Sequence, residues 1–288
     1  MFHVKHPVGQ PVTPCDDGCV HGWTGEQLAE LIVPGVWWLH ETRGSNVFLV
    51  EAAGGQLLLI DCGFASSADA IAAEVERVAP GRVPSLLLLT HAHVDHSGAA
   101  AELRRRFGAR VVAGAGDCVR DADGRTVLRE PIGRSHRWRR FLHALSRSRG
   151  EGEVLVDVAL TGETEVAPGI VAVPAPGHTP GSYCYVDAAR GIAFVGDLVI
   201  SHPPQLARPL RAANADDGAY LRTLATFAAR APDAGCAGHG APMLHGFATS
   251  LAALAAQPRR RLTSLAGAPR RVLRLVRFAR MLGGRRRE

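Results

Sequence analysis

A layered α/β domain with substantial sheet, α+β in the looser sense, is the fold class that these 288 residues predict. Three observations lead there. Short apolar runs of strand length recur along the chain, separated by Gly, Pro, Asp and Asn. Helical periodicity appears between some of these runs. An apolar content of 47% is enough to bury a core in one large domain or two small ones.

Residues 1–30 are rich in Pro, Gly and Cys without a clear period and predict an irregular N-terminal arm. Strand-like runs then begin at Val36–His40, Asn46–Glu51 and Gln56–Asp61, with Gly54-Gly55 as a hairpin turn between the last two. Ala68–Val78 carries Ile71, Val75 and Val78 at helical spacing. Ser85–Leu89 is an apolar strand, Ser97–Phe107 the helix after the next motif, and Val111–Ala113 a short strand. Further strands are expected at Ile170–Pro174, Ser182–Asp187 and Ile192–Gly196. A helix near Asp217–Ala229 and a short strand leading into Gly238 complete the domain, 31–257. There is no internal repeat at solenoid period.

Charged residues at 21%, with mean hydropathy near zero, exclude a disordered chain. No apolar run approaches the ~18 residues that cross a bilayer. The opening MFHVKHPVGQ has neither an apolar h-region nor a small-residue cleavage site, so a cytoplasmic protein is expected. The six cysteines, at 15, 19, 62, 118, 184 and 236, are scattered and predict reduced thiols. Cys15, Cys19 and His21 form C-x3-C-x-H, which lacks a fourth ligand for a structural metal.

The charge is unevenly placed. Lys5 is the sole lysine among 33 basic residues, and residues 258–288 hold eleven arginines against one acid. The rest of the chain has 22 bases against 26 acids, so the basic character belongs to a tail. An anionic partner is therefore to be sought at that end.

The sharpest chemical signal is LLLLTHAHVDHSG, Leu86–Gly98. An apolar strand stops, and His91, His93, Asp95 and His96 follow within six residues. Imidazole nitrogens and carboxylate oxygens are what zinc-class divalent metals accept in open catalytic sites. Alternate spacing in an extended loop sends His91 and His93 to one side, and Asp95 and His96 reach a second position from the turn that follows. The alternative is a His-rich surface loop. Three further segments weigh against it: PAPGHTPGS with His178, IAFVGDLV with Asp197 and GCAGHGAP with His239. In each, a strand ends and a small-residue turn presents a ligand. His40, His202 and His245 lack that setting and are expected to be structural.

The ordered series HAHVDH, PGHTPGS, GDLV and GHG, spread over Pro34 to Gly246, resembles the metallo-β-lactamase superfamily. The resemblance implies an αββα sandwich, two mixed sheets flanked by helices, with a dinuclear metal site at one edge. By the same resemblance His91, His93 and His178 hold one divalent ion, and Asp95, His96 and His239 hold the other. Asp197 bridges them. Zinc is the first expectation, with iron and manganese as alternatives. Asp95 would also carry a proton to the leaving group, while Asn46 and Asp61 match the early strand pattern and are expected to be structural. Ser182 and Ser201 have no evident activating base and are expected to be ordinary turn or strand serines.

Two such ions would make hydroxide available at neutral pH. The expected activity is hydrolysis of a small ester, lactone or thioester. His93, where flavodiiron-like members carry Glu, speaks against redox chemistry of that kind, and the bridging Asp197 speaks against true β-lactamases. GHGAP departs from the basic C-terminus of glyoxalase II, which leaves a glutathione thioester in doubt. A mononuclear iron persulfide dioxygenase remains an alternative, as do a phosphodiesterase and a membrane- or nucleic-acid-associated binding protein on the same fold.

Two segments point to partners. In an insertion at about 117–153, Trp138, Phe141, Leu142 and Leu145 fall at i, i+3, i+4 and i+7. One reading is a lid, with Trp138 and Phe141 against a substrate acyl group and Arg137, Arg139 or Arg140 at an anionic end. The other is a helix packed on the body or on a second subunit, as in a homodimer. In the tail, RRVLRLVRFARML from Arg270 to Leu282 places arginines on about half of a helix and apolar residues on the other half. Docking on its own domain comes first, an anionic membrane surface next, and nucleic acid last, because only Phe278 could stack on a base.

Overall fold

The computed structural model describes residues 29–129 and 153–259. Strands β1 (Glu30–Val33), β2 (Val36–Leu39), β3 (Val47–Glu51) and β4 (Leu57–Ile60) form an antiparallel meander. Between β3 and β4, Gly54 and Gly55 have φ of 87° and 85°, as the hairpin reading requires. Helix α1 (Ala68–Val78) leads to β5 (Leu86–Leu88), which joins β4 in parallel. Two helices follow, α2 (Val94–Ser97) and α3 (Ala100–Phe107), then β6 (Arg110–Gly114), parallel to β5. The hairpin β7 (Cys118–Arg120) and β8 (Thr126–Leu128) stands apart, and β9 (Val158–Leu160) closes the seven-stranded sheet β1-β2-β3-β4-β5-β6-β9.

The second sheet has six strands. They are β10 (Thr164–Ala167), β11 (Ile170–Pro174), β12 (Tyr183–Asp187), β13 (Ile192–His202), β14 (Gln205–Ala207) and β15 (Ala234–His239). Neighbours run antiparallel from β10 through β14, and β15 pairs with β13 in parallel. Helices α4 (Asp217–Ala228) and α5 (Phe247–Ala256) complete the domain.

Strand periodicity explains the layering. Successive side chains point to opposite faces of a sheet. Leu58, Ile60, Leu86, Leu88 and Phe48 therefore face Ile170, Ala172, Tyr185 and Phe194 of the other sheet. The alternate residues Leu57, Leu59, Leu87 and Leu89 pack against Ile71 and Val75 of α1 and Leu103 of α3. On the far side, Val173, Cys184 and Val195 meet Tyr220, Leu224 and Phe227 of α4 and Phe247 and Leu251 of α5. Both faces of each sheet are covered, which is why β4 and β5 read as continuous apolar runs. The order helix, sheet, sheet, helix is the αββα sandwich. Leu59, fully buried, tests the packing: Leu59→Ala should cost about 2–5 kcal/mol, read as a lower denaturant midpoint at unchanged slope.

Several sequence readings need correction. The helix expected over Ser97–Phe107 begins only at Ala100, as α3, because Ser97 instead ends the one-turn α2 just before Gly98. A Cβ on Gly98 would lie 2.5 Å from the Val94 carbonyl oxygen and 2.8 Å from the Ala65 amide nitrogen, so this crossing needs glycine. The strand at Ile192 runs on to His202 because Gly196, at φ 49°, absorbs a register shift against β15. Glu30 already belongs to β1, so the arm does not extend to residue 30. The start of the insertion is the β7–β8 hairpin, preceded by a buried Asp117. Residues 1–28, 130–152 and 260–288 lie outside the described residues. They hold Cys15, Cys19 and His21, the residues Trp138, Arg139 and Phe141, and nearly all of the tail. Among the described residues, no helix is long and apolar enough to cross a membrane, and Cys62, Cys118, Cys184 and Cys236 are free thiols.

Candidate metal centre

The site is assembled at strand ends. Chain leaving β5 carries Thr90, His91 and His93, and α2 follows at once with Asp95 and His96. The loop from β11 to β12 carries His178; Asp197 follows the kink in β13, and His239 ends β15. All seven predicted ligand residues are thus brought together, and all are buried. Their ligand atoms form the sets His91–His93–His178, Asp95–His96–His239 and His91–His96–Asp197.

Hydrogen bonds fix which imidazole nitrogens face inward. An ionised carboxylate only accepts, so His96 donates from Nδ1 to Asp61 Oδ2 at 2.8 Å, leaving Nε2 for the cluster. Thr90 gives its hydroxyl proton to the same carboxylate at 2.8 Å. It therefore accepts from His91 Nδ1 at 3.1 Å, which leaves His91 Nε2 free for the cluster. His178 donates from Nδ1 to Asn214 Oδ1 at 2.9 Å. His93 differs: its Nδ1 lies 3.0 Å from both His91 Nε2 and His178 Nε2. That spacing is close to the ~3.3 Å edge of a tetrahedron with zinc–nitrogen bonds of ~2.0–2.1 Å.

Asp197 sits between the sets. Its Oδ2 lies 3.2 Å from His178 Nε2, and its Oδ1 lies 3.3 Å from His96 Nε2 and 3.5 Å from His239 Nε2. That buried Oδ1 has no hydrogen-bond partner among the described residues. A carboxylate oxygen left unbonded in the interior is costly, and a cation beside it would remove the cost. Gly238 keeps the space open: a Cβ there would lie 2.5 Å from His96 Cε1 and 2.8 Å from Asp197 Oδ1. Gly196 does the same below, where a Cβ would meet the Thr90 hydroxyl at 2.6 Å.

Electrostatics match the donor set except at His96. Burial and the neighbouring histidines push His91 well below the usual imidazole range, and burial with His178 takes His93 down to about 3. Both are neutral at pH 7, the form that binds metal. Burial pushes the other way on Asp95, but its hydrogen bond with His239 and the charge of His96 bring it to about 2. Burial likewise opposes ionisation of Asp197, and His239 and His96 outweigh it and hold it well below the carboxylate range. For His96, burial favours the neutral ring, yet Asp61 and Asp197 together raise its pKa.

Two residues important to this geometry, Asn214 and Asp117, escaped the sequence reading, and a third, Asp61, was read only as structural. Asp61 does close a strand, with φ 58°. Its side chain, however, accepts from the Thr90 amide at 2.8 Å as well as from Thr90 Oγ1 and His96. Asn214 holds His178. Asp117 joins two ligand loops, accepting from the Ala92 amide at 2.9 Å, the Thr179 hydroxyl at 2.6 Å and the Gly181 amide at 2.7 Å. Each lies far in sequence from what it touches, so no local spacing announces it. Asn46 is structural as expected, donating to the carbonyls of Ala237 at 2.9 Å and Gly240 at 2.6 Å. Ser182 accepts from the Thr179 amide inside its turn at 2.9 Å. His40 pairs with Glu30, and His245 is exposed near Asp233.

Comparison with known proteins agrees with this geometry. The family model described as Metallo-beta-lactamase superfamily matches residues 40–260. The chain is 34% identical over 140 residues to a hydroxyacylglutathione hydrolase of Anaeromyxobacter dehalogenans, covering 48% of this chain and 40% of that protein. The chain therefore spans less than half the length of that relative. Among solved structures, TTHA1623 in a di-iron-bound form aligns with TM-score 0.53 at 22% identity, covering 71% of this chain and 92% of that one. FIM-1 from Pseudomonas aeruginosa, in a mono-zinc form, aligns with TM-score 0.53 at 22% identity, covering 78% and 92%. At such identity, these likenesses speak for the fold.

Proposed function

This chain belongs to the metallo-beta-lactamase superfamily, and from that premise we propose that it is a hydrolase dependent on two divalent ions, zinc first. Its proposed substrates are small esters, lactones or thioesters. The observation that carries the reading is the position of Asp197, one oxygen turned to His178 and the other to His96 and His239. His91, His93 and His178 would hold one ion, Asp95, His96 and His239 the other, with Asp197 between. The relative named hydroxyacylglutathione hydrolase supports carbonyl chemistry of the thioester kind, since an acylglutathione is a thioester.

Bound in this way, the ions supply a water of lowered pKa and polarise a carbonyl. The chain's own residues do the rest. Asp61, Thr90 and Asn214 hold three imidazoles with Nε2 inward, so the ligand lone pairs are set before substrate arrives. Asp95, held at a pKa of about 2, is ionised at neutral pH and accepts a proton rather than starting the reaction as an acid. It can then pass that proton to the departing oxygen or sulfur.

Elemental analysis after reconstitution with zinc, manganese or iron should give two metals per chain. A screen of lactones, esters, thioesters and phosphodiesters should then show turnover of a carbonyl substrate. Asp95→Asn should lower kcat by about 10²–10⁴-fold, the range for loss of a positioned proton-transfer group. One metal per chain, or oxygen consumption with a persulfide in place of hydrolysis, would overturn the reading.

A further inference from the structure

The loop that carries His178 rests on the start of α4. Backbone amides of Ala215 and Asp216 donate to the carbonyls of His178 at 2.9 Å and Gly177 at 3.0 Å. A Cβ on Gly177 would lie 2.2 Å from the Tyr220 amide nitrogen, so loop and helix are in close contact. The side chains extend this support. Asn214 accepts from His178 through Oδ1 and donates from Nδ2 to Asp217 Oδ1 at 2.9 Å. A carboxylate cannot donate. Asp217 therefore decides which end of the Asn214 amide faces the histidine, and so which ring nitrogen of His178 carries the proton.

Asp217 is itself held from the far end of the domain. The Arg259 guanidinium lies 2.7 Å from the same Oδ1, with both side chains only 15% exposed. It also lies over the Tyr220 ring, 5.4 Å from its centre, a cation–π distance. Arg211 approaches the other oxygen at 3.4 Å, but its side chain is 64% exposed and solvent weakens such a pair. We propose that Arg259 is a positioning residue for His178, acting through Asp217 and Asn214 to keep Nε2 of that histidine bare and turned to the metal. Without Arg259, the Asp217 carboxylate is free to turn toward Arg211. The Asn214 amide can then flip, and an amide N–H facing His178 favours the opposite tautomer. Arg259, counted by the sequence reading in the Arg-rich tail, thereby reaches the metal centre through three side chains, its own and those of Asp217 and Asn214.

The inference rests on the proposed role of His178 as a ligand, and the test separates the two. Full-length protein is loaded with zinc or cobalt and titrated with a chelator, in parallel with nitrogen-15 spectra of the histidine rings and thermal melts. Asp217→Asn should weaken one of the two ions by about 10–100-fold, the range for partners that orient a ligand. Arg259→Met should weaken the same ion by about tenfold, the low end of that range, and shift the His178 proton from Nδ1 toward Nε2. Arg259→Lys should recover most of the affinity, because a cation again faces Asp217. Arg230→Met, which breaks an exposed pair with Glu163, should change neither affinity nor tautomer. The proposal is overturned if Arg259→Met and Asp217→Asn lower the melting temperature while affinity and tautomer stay those of the wild type. A wild type that binds no metal would instead remove the functional reading, and this proposal with it.

Discussion

Replacing Asp197 by alanine should strip both metals from the protein and lower kcat/KM by at least about 10³-fold, beyond the 10–100-fold typical of residues that only orient a ligand. The carboxylate faces both donor sets, so its loss opens each at once. His239→Ala differs in kind: it removes one donor from the Asp95–His96–His239 set and should cost mainly one metal. Elemental analysis of both variants, with circular dichroism to show that they fold, measures the difference. Two metals retained by Asp197→Ala would mean that the carboxylate does not bridge.

Asp117→Ala should show the largest effect on stability outside the hydrophobic core, about 3–5 kcal/mol. Three donors lose their acceptor, two of them backbone amides inside the protein. Hydrogen bonds to a charged group contribute ~1.5–3 kcal/mol each and do not simply add. The backbone around Asp117 is closely packed. A Cβ on Gly114 would lie 2.1 Å from the Gly181 carbonyl oxygen, and one on Gly116 would lie 2.6 Å from that of Pro180. The segment before Asp117 is thus in backbone contact with the loop that carries His178. Asp117 also ties that loop to the one carrying His91 and His93, so metal affinity should fall along with stability. Chemical denaturation with and without bound metal checks both, and a loss below about 1 kcal/mol, the contribution of one ordinary hydrogen bond, would contradict the account.

Much of the fold was legible because its signals are local. The strands β3, β4, β11 and β12 and helices α1 and α4 were expected within a residue or so of where they lie. Their apolar patterns match the faces they bury. Short pieces were not legible: β1, β7, β8, β10 and β14 are three or four residues long and carry mostly exposed or half-buried side chains. Helix α5, FATSLAALAA, is apolar almost throughout, so no polar face marks it as helical. Its identity comes from packing on β14, β15 and α4.

The metal-ligating types were written into the sequence by itself. His91, His93, Asp95, His96, His178, Asp197 and His239 each stand in sequence just after an apolar run among small residues, although the structure places Asp95 and His96 in α2 and Asp197 within β13; their chemistry admits few other uses together. What only the tertiary structure decided is the state in which each is presented. His96 is set by Asp61, 35 residues earlier, and His178 by Asn214, 36 residues later. The two loops that hold His91, His93 and His178 are joined by Asp117. Ligand identity is a property of one side chain and can be read from the chain in order. Tautomer, charge and direction depend on a buried partner, and partners are chosen by the packing of sheets and helices that brings distant residues into contact.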